Sequence, residues 1–337
     1  MKAVGYARPG PITSPDSLVD FELPQPVPGP HDLLVLVEAV SVNPVDTKIR
    51  AAVSPPEGHM RILGWDAAGV VSAVGSEVTA FKPGDAVWYS GELNRPGTNS
   101  ELHAVDERLV GRKPDTLPFC EAAAMPLTGV TACELLFERL GVPYGVKTRT
   151  GALLIVNGAG GVGSMLIQLA RRLTGLTVIA TASRPETAEW VQRMGAHHVI
   201  DHHRPLDDGL RAIGIPEVQY VAALTATEQH LAAIVRALQP QGRLAVIDDP
   251  PVLDIVPLKE KALSVHWELM FTRSLYRTPD MAMQQRWLNE LADLVDAGLL
   301  RTTLHERWGR IDAANLRRVH GLVEAGHAIG KIVLTGF

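Results

Sequence analysis

Cysteine is scarce: the 337-residue chain holds two, Cys120 and Cys133. Two thiols cannot build a disulfide scaffold or a four-cysteine zinc lobe. Such low usage fits a reducing compartment, so a cytoplasmic protein is expected. A basic excess is missing as well. Lys and Arg number 32 against 37 Asp and Glu, a formal net charge of −5, which argues against a nucleic-acid surface. No apolar run reaches the roughly 20 residues that span a bilayer, so no membrane partner is expected. The opening MKAVGYARPG has no apolar core, so no signal peptide is expected either. There is no internal repeat and no low-complexity segment. With 46% hydrophobic and 20% charged residues, the composition is that of an ordinary globular protein. At roughly 150 residues per domain, the length suggests two domains.

Proline divides the chain unevenly: 16 of the 24 lie in residues 1–150. That part reads as short strands broken by turns, LLVLVEAV (33–40), GVVSAV (69–74) and DAVWYS (85–90), with KPGD (82–85) as a turn. From residue 151 strand-like runs alternate with helical ones: ALLIVN (152–157), TVIATA (177–182), HHVID (197–201), VQYVAAL (218–224) and RLAVID (243–248). This alternation predicts a parallel, doubly wound sheet. Val162, Met165, Leu166, Leu169, Ala170 and Leu173 form one apolar stripe at the helical period, with Gly175 placed to end that helix. The next helix has Pro185 in its first turn, Trp190, Val191 and Met194 as core, and Gly195 as its stop. A late helix is expected from about Asp280 to Ala297, and KIVLTGF (331–337) reads as a final strand.

The strand ALLIVN runs into Gly158-Ala159-Gly160-Gly161-Val162-Gly163. Gly158, Gly160 and Gly163 fit G-x-G-x-x-G, and the context of strand before, amphipathic helix and second strand after is the one a dinucleotide site requires. The first glycine makes the tight turn, the second leaves room for a pyrophosphate, and the third lets helix and strand pack. The helix start, with Gly161 and Val162, then presents N–H groups to the phosphates. The competing reading is a glycine-rich turn with no ligand. An NAD site places an acid at the end of the second strand. Here that stretch is Thr181-Ala182-Ser183-Arg184-Pro185. Ser183 and Arg184 suit a 2′-phosphate, so NADP(H) is favoured over NAD. His202 and His203 are further candidates for that phosphate, or else simple surface polarity.

Five segments together, NPVDTKIR (43–50), GWDAAGVVSAVGSEV (64–78), FKPGDAVW (81–88), PLTGVTA (126–132) and GAGGVG (158–163), resemble the medium-chain dehydrogenase/reductase superfamily over nearly the whole chain. Within it the chain is similar to the zinc-free quinone oxidoreductase branch, and most of all to the group labelled zinc-type alcohol dehydrogenase-like proteins, on ATASRPE (180–186) and WELMFTRS (267–274). The resemblance implies a GroES-like β-rich catalytic domain (1–126), a Rossmann NADP-binding domain (127–270), and a C-terminal segment (271–337) that returns to the first. It also implies a homodimer, for which the strand ALSVHW (262–267) is the expected edge.

Zinc alcohol dehydrogenases begin the 64–78 segment with Gly-His-Glu, whose His binds catalytic zinc. This chain reads Gly64-Trp65-Asp66, and Asn43 to Lys48 contains no Cys. A catalytic zinc takes about three protein ligands, so no metal site is expected. Cys120 and Cys133 read as small buried hydrophobes.

Without a Lewis acid, electron-poor acceptors are favoured: quinones and α,β-unsaturated carbonyls. The resemblance places the loop Asn43–Lys48 beside the nicotinamide. Asn43 is the candidate amide for a cofactor or substrate oxygen, Lys48 the candidate donor to an enolate or quinone oxygen, and Asp46 orients Lys48 or binds the cofactor ribose. Asp46 and Lys48 as a structural ion pair is the bland alternative. Thr128 is assigned near the nicotinamide, or else to the N-cap of a helix starting around Gly129. Trp88, Tyr89, Trp267 and Phe271 are candidate walls for a flat substrate, or core. Two other functions stay open: an alcohol dehydrogenase or aldehyde reductase, and a non-catalytic NADPH-binding protein with a structural or RNA-binding role.

Overall fold

The computed structural model describes residues 1–148 and 150–337. The chain forms two compact units, Met1–Val130 together with Phe271–Phe337, and Thr131–Met270. In chain order the strands are β1 (Lys2–Tyr6), β2 (Val19–Glu22), β3 (Asp32–Ser41), β4 (Arg61–Ile62), β5 (Ala67–Val74), β6 (Ala86–Tyr89), β7 (Leu102–Asp106), β8 (Val110–Arg112), β9 (Ala152–Val156), β10 (Thr177–Thr181), β11 (His198–Ile200), β12 (Val218–Ala223), β13 (Leu238–Val246), β14 (Ser264–Trp267), β15 (Leu304–Arg307) and β16 (Lys331–Thr335).

The first unit is β-rich. A seven-stranded sheet runs β15-β16-β3-β5-β6-β8, with β7 also on β3, and β2-β1-β4 form a second, three-stranded sheet. β3 is the hub. Its ten residues pair with β5, β7 and β16, all antiparallel. The C-terminus therefore returns to the middle of this unit: Val333 lies opposite Ser41 and Thr335 opposite Ala39. The turn at KPGD is closed by Lys82 and Asp85, whose carboxylate accepts the Lys82 N–H at 3.0 Å. The late helix runs Met283–Asp296, with Leu288, Leu291, Leu294 and Val295 buried. It starts three residues later than the sequence suggests. Asp280 is held in the preceding turn, where it accepts from Thr278 Oγ1 and Arg273 Nε.

The second unit is a six-stranded, all-parallel sheet in the order β11-β10-β9-β12-β13-β14. Read from β9, that is the 3-2-1-4-5-6 order of a doubly wound dinucleotide fold. Every residue of β9 is buried, as a central parallel strand covered on both faces requires. Leu154, Val156, Ile179, Val221, Leu244 and Ile234 belong to one core cluster of this unit. The helix after β9 spans Gly161–Leu173 and buries Met165, Leu166, Leu169, Ala170 and Leu173. Val162 is only half-buried at its first turn. The stop is Thr174 rather than Gly175: the Thr174 hydroxyl donates to the Ala170 carbonyl, then accepts the Leu176 N–H at 3.1 Å. The next helix, Pro185–Met194, ends at Gly195, which takes the left-handed φ of +115°.

One helical stretch, Phe119–Arg139, has the length and composition of a membrane-crossing helix, although Glu121, Glu134, Glu138 and Arg139 interrupt its apolar run. However, 83% of that window is buried inside the protein. It is a core helix whose apolar faces are already covered.

Candidate functional site

In the second unit, the strand–turn–helix at 152–173 is built as a phosphate cradle. Asn157 leaves β9 with φ of +64°, and its N–H donates to Thr181 Oγ1 at 2.9 Å. The Gly158 N–H donates to the Thr181 carbonyl at 3.1 Å. Gly160 and Gly163 take the expected roles, but the left-handed residue of the turn is Asn157 and Gly158 is constrained by packing instead. A Cβ on Gly158 would meet the Ala180 Cβ at 2.7 Å, and one on Gly163 would meet the Gly158 carbonyl oxygen at 2.5 Å. At Gly160 the nearest atom would be 3.5 Å away. The outer glycines are thus fixed by packing, while the middle one leaves space over the start of the helix that Gly161 and Val162 open. Free N–H groups and the positive end of the helix dipole meet there, so these residues fit a pyrophosphate.

Ser183 and Arg184 come one residue after β10, past Ala182, and both are half-buried. Arg184 is the N-cap of the helix Pro185–Met194, and its backbone N–H donates to Thr187 Oγ1 at 3.1 Å. Its side chain is 36% exposed and pairs through Nε with Glu186 at 3.1 Å. Sequence reasoning missed that partner, an acid that competes with a phosphate for the guanidinium. His202 Nδ1 lies 3.1 Å from Thr181 Oγ1. Its ring meets those of His203 and His230 edge-on, at 5.0 and 6.4 Å. Burial lowers the pKa of His202, and the neighbouring His203 and His230 lower it further. The rings of this cluster come from separate segments, so spacing alone gave no sign of His230.

In the first unit, Asn43 to Lys48 form no loop. Pro44–Ala52 is a helix with Asn43 as its N-cap. Asp46 sits at the third helical position and accepts the Asn43 N–H at 2.7 Å. Asp46 is buried and Lys48 exposed. Residues two apart on a helix face different directions, so Asp46 is turned into the protein while Lys48 is turned to its surface. The Asn43 carboxamide, 1% exposed, is used internally. Its Nδ2 donates to Asp66 Oδ2 at 2.7 Å and to the Ser41 carbonyl at 3.5 Å, and its Oδ1 accepts from Lys331 Nζ.

Asp66 is the centre of this network. Oδ1 accepts the Leu127 N–H at 2.8 Å. Oδ2 accepts from Ser41 Oγ at 2.8 Å and from Asn43, with Lys331 Nζ at 3.3 Å. Trp65 is fully buried, donates its indole N–H to the Glu92 carbonyl at 2.9 Å, and packs edge-on against Phe271. Thr128 is buried and donates to the Met125 carbonyl at 3.2 Å. The helix there begins at Pro126, so Thr128 lies inside it and is not an N-cap. Trp88 and Tyr89 are core rather than wall: both are fully buried, and Tyr89 stacks on His103 at 5.5 Å. Lys331 went unrecognised because its strand reads as apolar. A charged residue opening a buried strand was the available signal.

Burial pushes the Asp46 carboxyl up to about 7, and Asp66 adds to the rise. The Asn43 and Gly64 amides and the Lys331 charge pull the other way. Burial likewise lowers the Lys331 ammonium, against the attraction of Asp66 and Asp46. A carboxyl raised on folding stabilises the protein while protonated, and that contribution is lost as pH climbs to its folded pKa. The stability of the Asp46→Asn variant relative to wild type should therefore rise between about pH 4 and pH 7, by up to about 1.4 kcal/mol per unit, and level off above. Urea unfolding across that range measures it, and a flat difference would refute the raised pKa.

Residues 29–115 match the alcohol dehydrogenase GroES-like domain and residues 194–334 the zinc-binding dehydrogenase family. A zinc-type alcohol dehydrogenase-like protein of Staphylococcus aureus is 37% identical over 341 residues, covering 99% of each chain. A quinone oxidoreductase of Pseudomonas aeruginosa is 32% identical over 91% of this chain and 92% of its own. Among solved structures, a candidate zinc-dependent alcohol dehydrogenase from Rhizobium etli is 56% identical, with a TM-score of 0.96 over 100% of this chain and 98% of that one. A mycobacterial protein solved with NADPH is 27% identical, with a TM-score of 0.84 over 99% and 100%. A β-rich GroES-like unit, a Rossmann unit with a glycine cradle, and full-length relatives above 30% identity make this chain a member of the medium-chain dehydrogenase/reductase superfamily.

Proposed function

We propose that the chain is an NADPH-dependent oxidoreductase that reduces a quinone or an α,β-unsaturated carbonyl without a metal. The observation that carries the cofactor is the end of β10, where Ser183 and Arg184 stand and no acid does. The relative solved with NADPH supports it. Gly158, Gly160, Gly161, Val162 and Gly163 hold the pyrophosphate, and Ser183, Arg184 and His202 face the 2′-phosphate. NADPH, when bound, supplies a hydride. Lys48, exposed on the helix Pro44–Ala52, donates a hydrogen bond to the oxygen that gains charge. Asn43 and Asp46 are buried, and they shape the helix start rather than reach for substrate.

The metal-free reading rests on two side chains. The Trp65 indole cannot ligate, and both oxygens of Asp66 are already taken by donors. An alcohol dehydrogenase is the second reading, favoured by the Rhizobium etli relative. Protein purified without added metal should hold well under one zinc per chain, and should oxidise NADPH with a quinone or an enone faster than with an aldehyde. A stoichiometric zinc whose removal stops turnover would overturn the proposal in favour of the second reading.

The cofactor preference has its own test. A charge-assisted contact contributes about 1.5–3 kcal/mol, or roughly 10- to 150-fold. The exposure of Arg184 and its pairing with Glu186 put the effect near the low end. Arg184→Ala should weaken kcat/KM for NADPH about tenfold and leave NADH nearly unchanged. Glu186→Gln frees the guanidinium and should shift NADPH in the opposite direction. Equal losses for both cofactors would make Arg184 structural.

The protein is further proposed to be a homodimer through β14. This strand is one of the two edges of the parallel sheet, and Trp267 at its end is 55% exposed. Unpaired edges invite pairing. Light scattering at micromolar concentration should give twice the chain mass, and a monomer would contradict this.

A further inference from the structure

We propose that Lys331, on the last strand of the chain, is a positioning residue of the reductase: it locks Asn43 and Asp66 and so fixes the start of the helix that carries Asp46 and Lys48. The inference rests on the reductase reading above.

Lys331 is 4% exposed. Its Nζ donates to the Val42 carbonyl at 2.8 Å and to Asn43 Oδ1, and lies 3.3 Å from Asp66 Oδ2. Three N–H donors face three acceptors. A buried ammonium is costly unless paired and bonded in this way. The residues that follow it, Ile332, Val333 and Leu334, are ordinary apolar core. Position 331 is the one buried polar position of its strand, which ties the lysine to what it touches.

The contacts define an orientation. With the ammonium on Asn43 Oδ1, the Nδ2 group must point to Asp66 and Ser41. A flipped carboxamide would set N–H groups against N–H groups. Asn43 is the helix N-cap, and its backbone N–H is bonded to Asp46 Oδ2. Fixing Asn43 therefore fixes the first turn, and Lys48 opens the turn that follows it. The register of β16 on β3, with Val333 opposite Ser41, delivers Lys331 there. The charged groups acting on Asp46 are Lys331 from β16 and Asp66 from the segment before β5, and the Asn43 and Gly64 amides are its neutral partners.

The test uses Lys331→Met and Lys331→Arg in the full chain, with NADPH and a soluble benzoquinone. Lys331→Met should lower kcat at least tenfold while KM for NADPH stays within about twofold. Arg keeps the charge and should recover part of the loss. The second readout needs no turnover. Carbon-13 NMR of labelled aspartate, assigned with Asp46→Asn, should show the Asp46 midpoint near 7 in wild type. Loss of the facing charge should raise it by about one unit in Lys331→Met and leave it in place in Lys331→Arg. If Lys331→Met does not fold, Lys331→Arg alone decides: lowered kcat with an unmoved midpoint and unchanged KM for NADPH supports the proposal. An unmoved midpoint in Lys331→Met, or kcat within twofold of wild type in a folded variant, overturns it. If wild type reduces no quinone or enone, the reductase reading fails, and Lys331 as a positioning residue of that reaction fails with it. In that event a shifted midpoint still separates the two ideas, because the hold of Lys331 on Asp46 then stands without the reaction.

Discussion

A carboxylate sealed from water must find donors for its lone pairs or give up its charge, and Asp66 has found them in four places along the chain. Ser41 comes from the end of β3, Asn43 from a helix cap, Leu127 from the start of another helix, and Lys331 from the final strand. The strands among them are gathered by β3, which pairs with β5, β7 and β16. Hydrogen bonds to a buried charge are worth more than neutral ones and are costly to lose one at a time. The network therefore favours one arrangement of the segment from Ser41 to Asp46 over its alternatives. A lysine, an amide and two carboxyl groups hold that segment together.

The second unit solves a different problem with fewer charges. Its cradle is made by backbone, and the side chains it excludes matter as much as those it includes. Gly158 and Gly163 are where packing leaves no room for a Cβ, and Gly160 is where room is left over. Under the proposed cofactor reading, discrimination falls to a few side chains just after β10, where Arg184 is already paired with Glu186: its guanidinium would meet a phosphate only by leaving a carboxylate. Affinity at such a site is a difference between two ion pairs, and salt weakens both.

Much of this was legible in the chain. The alternation after residue 151, the glycine spacing and Gly195 gave the Rossmann unit nearly strand by strand, because periodicity and turn chemistry are local. The proline-rich start and the terminal KIVLTGF announced the β-rich unit. Ends were harder. Thr174 outcompeted Gly175 through a hydroxyl bonded to a carbonyl one turn back, and Asp280 was held by side chains in its own turn. What no local rule could find was the Asp66 network, since Lys331 and Asn43 are 288 residues apart and meet only through strand register. Asn43 and Asp46 were singled out from the family likeness as groups that meet substrate or cofactor. Their burial gives them another task, and Lys48 alone of the three is exposed.

The placement of β16 also bears on the order in which the protein is made. The second unit is continuous, residues 131–270, and its parallel sheet is complete as soon as β14 has been synthesised. The first unit is interrupted: Asp66 leaves the ribosome 265 residues before Lys331, roughly a quarter of a minute to a minute earlier at typical elongation rates. Throughout that interval β3 lacks its β16 neighbour and the nascent carboxylate has no cation to face. In such a chain the nucleotide-binding unit is closed by neighbours in sequence, whereas the Asp66 network closes only when β16 joins β3.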